Sequence, residues 1–279
     1  MERHRMKAPI GVFDSGIGGL TVVKHLMSRL KNESIVYFGD TARVPYGSKS
    51  DDTVKRFAFE DTRFLLNHGV KLVVVACNTA SAVALDDLRR RFDVPFVGVI
   101  EPGARAAVRL SKKKRIGVIG TLGTVESRAY EKAIGLAGGS FKVYAAACPL
   151  FVPVAEEGWM SHPAAGVIAE EYLGGLRKQD LDVLVMGCTH YPVLRGVIQK
   201  VLGRRVVLVD SGEEAVKEVV SILKRRRIEA PARSKATRDF YVSDIPRKFK
   251  EVGERFLGRP IDGLTLVNQS DIPWYERKT

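Results

Sequence analysis

The sequence predicts an α/β protein made of two similar parallel-sheet domains, related by an internal pseudo-repeat and facing each other across a crevice. Three observations carry this expectation. Short β-rich apolar runs alternate with helix-period segments almost to the end of the chain, as in parallel sheets covered by helices. The runs fall into two matching sets: IGVFDSG (10–16) aligns with IGVIGTLG (116–123), and VVVACNT (73–79) with VLVMGCT (183–189). A chain of 279 residues is also long enough to fill two compact cores.

The first set of strands is PIGVF (9–13), SIVYF (34–38), KLVVVA (71–76) and PFVGV (95–99). The second is RIGVIG (115–120), FKVYAA (141–146), DVLVMG (182–187) and RVVLVD (205–210). Offsets of 106 residues (Ile10 to Ile116) and 111 (Cys77 to Cys188) agree with one duplication and small insertions. Helical stretches are expected over 19–30, 51–66 and 189–202. In the second of these, Val54, Phe57, Ala58 and Leu65 share a face that Asp61 interrupts, so this helix should pack on a sheet. From about residue 211 a Lys/Arg-rich helix, a strand in DFYVSD (239–244) and a helix near 247–256 follow without a linker, and should pack back onto one half. The tail QSDIPWYERKT (269–279) is expected to be ordered only if Trp274 and Tyr275 dock. The expected division is residues 1–101 with 212–279 as one domain, carrying Asp14 and Cys77, and 102–211 as the other, carrying Cys188 and His190.

Composition narrows the function classes. Hydrophobic residues at 45% and charged residues at 28% suit a soluble globular protein. No run reaches the roughly 18 apolar residues of a membrane span, and the basic start has no apolar h-region behind it, so a cytoplasmic protein without a membrane partner is expected. Three cysteines without a CxxC pair fit neither a disulfide framework nor a ribbon-type zinc site. The net charge of +13 gathers in RRR (89–91), KKKR (112–115) and KRRR (224–227), at helix ends or just before a strand. Cations there complement a helix C-terminus. Without interleaved aromatics or a binding motif, they read as solvated surface, and no specific nucleic-acid partner is expected.

Ligands of open parallel sheets sit beyond the carboxyl ends of the strands. FDSGIGG (13–19) ends the first strand, and its glycines permit a tight turn near an anion. A GxGxxG reading from Gly16 puts Thr21 where Gly or Ala belongs, so a dinucleotide loop is disfavoured. Asp14 and Ser15 alternatively cap the next helix. YFGDTARVPYGSKS (37–50), with Asp40, Thr41, Tyr46 and Gly47, is a candidate lip of the crevice. Cys148 reads as a buried, inert thiol. Cys77 and Cys188 differ from it. Each ends a strand before small polar residues, where a helix N-terminus would lower the thiol from its usual pKa of about 8.5. A metal held by Cys77, Cys188, His190 and Asp14 is the competing reading, but Cys-x-His is not a usual zinc spacing, and no metal is expected. In CPLFVPVAEEGW (148–159), Glu156 and Glu157 either open a surface helix or send one carboxylate into the crevice, and spacing does not choose.

Taken together, these motifs closely resemble the cofactor-independent aspartate/glutamate racemase superfamily, in particular its glutamate-specific members. GVFDSGIGGLTV, YFGDTARVPYG, ACNTASA, CPLFVPVAEEG, GCTHYPVL and ERFLGR occur in the family's order over nearly the whole chain. The resemblance implies that Cys77 and Cys188 are catalytic acid/base thiols, with Asp14 and His190 assisting one each. It implies that Ser15, Tyr46, Gly47, Asn78, Thr79 and Thr189 hold the amino acid beside Asp14 and His190. Asp40 matches a further substrate-binding position, and one carboxylate of the EEG pair, Glu156 ahead of Glu157, a further catalytic one. Related aspartate racemases carry an acidic residue where this chain has His190, which favours glutamate.

Such a site inverts Cα by removing its proton on one face and delivering another on the opposite face, with no cofactor. A carbanion formed this way needs preorganised N–H donors around its carboxylate and exclusion of water. The expectation is an L-/D-glutamate racemase supplying D-glutamate for peptidoglycan, acting as a homodimer. The alternatives are a racemase for another acidic amino acid such as aspartate, or a basic module binding anions or nucleic acid.

Overall fold

The computed structural model describes residues 6–244 and 249–267; Trp274, Tyr275 and the rest of the tail lie outside these. Two all-parallel sheets form the frame. In the first sheet, β1 (Ile10–Asp14), β2 (Ile35–Gly39), β3 (Leu72–Val75) and β4 (Phe96–Gly98) lie in the order β2-β1-β3-β4. In the second, β5 (Arg115–Gly120), β6 (Lys142–Ala147), β7 (Val183–Gly187) and β8 (Val207–Asp210) lie in the order β6-β5-β7-β8. The two orders are the same, element for element, so the sequence repeat is a repeat of topology. β3 and β7 hold equivalent positions, and Cys77 and Cys188 follow them.

The C-terminal segment extends the first sheet. β9 (Arg238–Val242) pairs in parallel with β2, and β10 (Leu264–Leu266) pairs with β9 at the edge. β10 is too short and too mixed to stand out in the sequence. One of the apolar clusters spans both sheets through α1 (Leu20–Arg29), α11 (Ser211–Arg226) and α12 (Phe249–Leu257), whose buried faces meet residues of β1, β3 and β7. α11 begins where the Asp210 carboxylate accepts the Gly212 and Glu213 N–H groups at 2.9 and 3.1 Å, and ends on Arg227, whose φ of 53° turns the chain out of the helix.

α2 (Asp51–Asn67) matches its expected bounds within a residue, with Ser50 as its cap and Asp51 and Asp52 in its first turn. Residues 78–91 form α3 (Asn78–Val83) and α4 (Leu85–Arg91). The remaining helices are α5 (Ile100–Leu110), α6 (Leu122–Glu126), α7 (Ala129–Leu136), α8 (Phe151–Glu156), α9 (Pro163–Arg177) and α10 (Arg195–Leu202). The helix expected over 189–202 is therefore shorter. Residues Tyr191–Leu194 form a 3-10 turn and the α-helix starts at Arg195. Pro192 explains the delay: without an N–H it is tolerated only in the first turn. Among the described residues, no helix is long and apolar enough to cross a membrane.

Candidate active site

The carboxyl ends of the two sheets face one cavity of about 240 Å³. That is below the roughly 300–1,000 Å³ of pockets that take drug-sized ligands, and suits a single amino acid. Its wall comes from four short segments: 15–17 after β1, 44–47 after β2, 77–79 after β3, and 188–190 after β7. Thr121, Val152, Pro153 and Glu156 complete it. Ser15, Tyr46, Gly47, Cys77, Asn78, Thr79, Glu156, Cys188, Thr189 and His190 all line this cavity.

The halves meet closely. A Cβ on Gly18 would stand 2.2 Å from Thr189 Oγ1 and 2.5 Å from His190 Nδ1, and one on Gly47 would stand 2.5 Å from the Thr121 Cβ. Any side chain at either position would wedge the crevice open. Thr21 Oγ1 donates to the Thr189 carbonyl at 3.0 Å, and the Thr79 and Thr121 hydroxyls are 2.9 Å apart. These bonds cross from one half to the other.

Around Cys188 the partners form a chain. The sulfur lies 3.8 Å from His190 Nδ1, and His190 Nε2 lies 2.9 Å from Glu156 Oε1. Burial favours the neutral imidazole, but the hydrogen bonds to Cys188 and Glu156 outweigh it and raise His190 to a pKa of about 10. Protonated, the ring would direct one N–H toward the sulfur and one toward the carboxylate. Glu156 is therefore the member of the EEG pair that reaches the cavity. Both glutamates stand at the C-terminal end of α8 and do not open a helix.

The surroundings of Cys77 are different. It is the N-cap residue of α3, and its sulfur lies 3.8 Å from Ser15 Oγ. The expected lowering by the helix N-terminus is overturned: burial first, and the charge of Asp14 second, push this thiol up to about 12. The Ala80 N–H and Ser15 oppose that shift and lose. Cys148 is buried outside the cavity, and burial likewise pushes it up to about 12.

Asp14 and Asp40 lie behind the wall. Asp14 is fully buried, accepts the Gly16 N–H at 3.0 Å and faces Thr189 Oγ1 at 3.4 Å. Burial raises its pKa despite the attraction of His190 and the N–H groups of Gly19 and Gly16. No side chain caps α1, whose N-cap is Gly19, so the capping reading of Asp14 and Ser15 does not hold there. Asp40 does not reach the cavity, contrary to its expected contact with the ligand. It accepts from Arg43 Nε at 2.6 Å, Ser243 Oγ at 2.8 Å and the Tyr46 hydroxyl. Tyr46 also meets Asp61 at 2.9 Å, and Arg43 bridges Asp40, Asp61 and Glu60. Asp61 is thus the buried partner of the Tyr46 lip, which explains a carboxylate on the apolar face of α2.

Thr121 was not singled out in the sequence, yet the repeat points to it: Ser15 shifted by 106 residues is Thr121. Arg43 and Asp61 carried no comparable signal. Among the described residues, no three His, Cys, Asp or Glu side chains are arranged to hold a metal ion.

Two repeated half-folds, each with a cysteine after its equivalent strand in the wall of one shared cavity, define a two-lobed α/β protein. The chain belongs to the Asp/Glu/hydantoin racemase family, whose model matches residues 10–219. It is 51% identical over 259 residues to the glutamate racemase of Geobacter metallireducens, covering 93% of this chain and 96% of that protein. The crystal structure of the Francisella tularensis glutamate racemase in complex with D-glutamate superposes with a TM-score of 0.89 at 41% identity, covering 95% and 99% of the two chains. The Thermus thermophilus glutamate racemase in complex with β-chloro-D-alanine gives 0.86 at 46% identity, covering 94% and 98%.

Proposed function

We propose that this chain is a glutamate racemase that inverts Cα of L- and D-glutamate by two-thiol proton transfer, acting in the cytoplasm to supply D-glutamate for peptidoglycan. The observation that carries the mechanism is the placement of Cys77 and Cys188 at equivalent strand ends on one shared cavity, with different partners. Glutamate enters with Cα between the two sulfurs. Burial holds Cys77 as the thiol in the ligand-free protein, so Cys77 is the first proton donor. Cys188, beside the His190 imidazolium, is the first base. One inversion exchanges the two roles, and the reverse reaction restores them. Negative charge developing on the substrate carboxylate is met by the dipoles of Thr79 and Thr189, which line the cavity. The Tyr46–Gly47 lip bounds the same cavity and holds the side-chain end of the substrate.

The test is circular dichroism of L-glutamate incubated with protein dialysed against a chelator. The ellipticity is expected to decay to zero, at a rate unchanged by the chelator. No decay with glutamate, or decay with aspartate alone, would overturn the assignment. Activity lost to chelation and restored by zinc would overturn the mechanism.

Asp14 supplies a stability prediction. A carboxyl whose folded pKa is raised binds protons more readily folded than unfolded, so its ionisation destabilises the fold as pH rises above the usual carboxylate value of about 3.9. Asp14→Asn removes that cost. The variant should melt above the wild type at pH 8, with the gap closing toward pH 4, while glutamate turnover falls roughly ten-fold or more. A lower melting temperature at pH 8 would show that the charge stabilises the fold.

A further inference from the structure

Asn78 is buried in the cavity wall, and its two amide atoms are treated differently. Oδ1 accepts from the Tyr130 hydroxyl at 2.7 Å, with the Ser211 hydroxyl a more distant donor at 3.5 Å. Nδ2 is buried and has no hydrogen-bond partner in the protein. A buried N–H₂ group left without an acceptor costs roughly 1–3 kcal/mol. Here the cost falls on a residue that is 3% exposed and lines the ligand cavity, directly after Cys77. Tyr130 itself is tightly held. It is 1% exposed at the start of α7, and a Cβ on Gly187 would stand 2.9 Å from its ring. Tyr130 belongs to the segment that carries the second sheet, and Asn78 to the first.

We propose that Tyr130 is a positioning residue: its hydroxyl fixes the Asn78 carboxamide with Oδ1 turned away, so that the unpartnered N–H₂ serves as donor to the α-carboxylate of the amino acid in the cavity. The proposal rests on the racemase reading above. A carboxamide is nearly symmetric in shape, and either end would fit the wall. A hydroxyl can donate or accept, and here the Tyr130 hydroxyl donates to Oδ1. With Oδ1 engaged, the end offered to the ligand is a donor, which favours a carboxylate. Turned over, the carbonyl would face the carboxylate and repel it. The closeness of Asn78 to Cys77 selects the α-carboxylate, since a proton at Cα must lie within reach of that sulfur. Ser211 stands in the second rank, because its single hydroxyl proton has the nearer Met186 carbonyl at 3.1 Å.

Tyr130→Phe keeps the ring and its packing and removes only the hydroxyl. With glutamate as substrate, KM is expected to rise roughly ten-fold or more, the range for loss of one hydrogen bond to a charged group, while kcat changes several-fold less. Asn78→Ala should produce a similar rise, and adding Tyr130→Phe to Asn78→Ala should have no further effect on KM. Ser211→Ala should shift KM in the same direction by a smaller factor. Melting curves of each variant separate a folding defect from a binding defect. If Tyr130→Phe melts early, the Ser211→Ala comparison in the presence and absence of Asn78→Ala decides. Wild-type KM in Tyr130→Phe, or fully additive effects of Tyr130→Phe and Asn78→Ala, would overturn the positioning role. A wild-type protein that leaves glutamate unchanged would instead overturn the racemase reading.

Discussion

Cys77→Ser and Cys188→Ser are each expected to lower glutamate racemisation by roughly two to four orders of magnitude, the range for loss of a positioned acid or base. A serine hydroxyl keeps the shape of the wall but is a far poorer proton carrier at neutral pH. Each variant retains one thiol and can still remove a proton on the face it serves. With an analogue that carries a leaving group on Cβ, such as β-chloroalanine, proton removal is enough to drive elimination. The two variants should therefore eliminate from opposite enantiomers. Retention of the same enantiomer by both would refute a two-sided site, and so would a Cys148→Ser variant as impaired as either. Asp14→Asn and His190→Asn should show weaker asymmetries in opposite directions, because the charge of Asp14 acts on Cys77 while His190 lies against Cys188.

Arg43→Met should be the most destabilising change near the site. The guanidinium pairs with Asp40, Asp61 and Glu60 and covers the Phe57 ring at 4.1 Å. Methionine fills part of the space but leaves three carboxylates without a counter-charge. Breaking a buried pair costs about 3–5 kcal/mol, and the partial exposure of Arg43 places the expected loss near the lower end, about 3 kcal/mol. The melting temperature should then fall by something on the order of 6–12 °C. Burial first, and Asp40 second, already hold the Asp61 carboxyl well above its ordinary range. Such a group takes up protons more readily in the folded state, so stability falls as pH rises through its titration. The deficit of Arg43→Met should consequently be smaller at pH 5 than at pH 8. An equal deficit at both would mean that lost packing, not charge, dominates.

Most of the strands were legible because they are apolar runs rich in β-branched residues, and runs of that kind in a parallel sheet are buried on both faces. The pair of thiols was legible because the repeat placed them at the same point of two half-folds. The repeat held one further site residue in plain view, since Ser15 moved by one period is Thr121. What stayed hidden depends on contacts distant in sequence. Asp61 looked like a flaw in an amphipathic helix until Arg43 and Tyr46, more than a dozen residues earlier, folded against it. Local reasoning also got the direction of Cys77 wrong. A helix N-terminus is visible in sequence, but the depth of burial and the neighbouring Asp14 are properties of the packed crevice. Tyr130 and Ser211 were missed for the same reason, since each meets Asn78 only after the halves close.

The shared strand order of the two sheets has a consequence for chirality. A reaction that turns a molecule into its mirror image has no intrinsic preference for either hand, and a frame of two like halves imposes none. Preference enters only where the halves have diverged. Under the register that pairs Ser15 with Thr121, Asp14 corresponds to Gly120, and in the cysteine register His190 corresponds to Thr79. One half thus keeps an anion beside its sulfur and the other a cation. Exchanging those partners between the halves, with the rest of the frame unaltered, is the route by which this fold could be made to favour the opposite antipode as its faster-bound ligand.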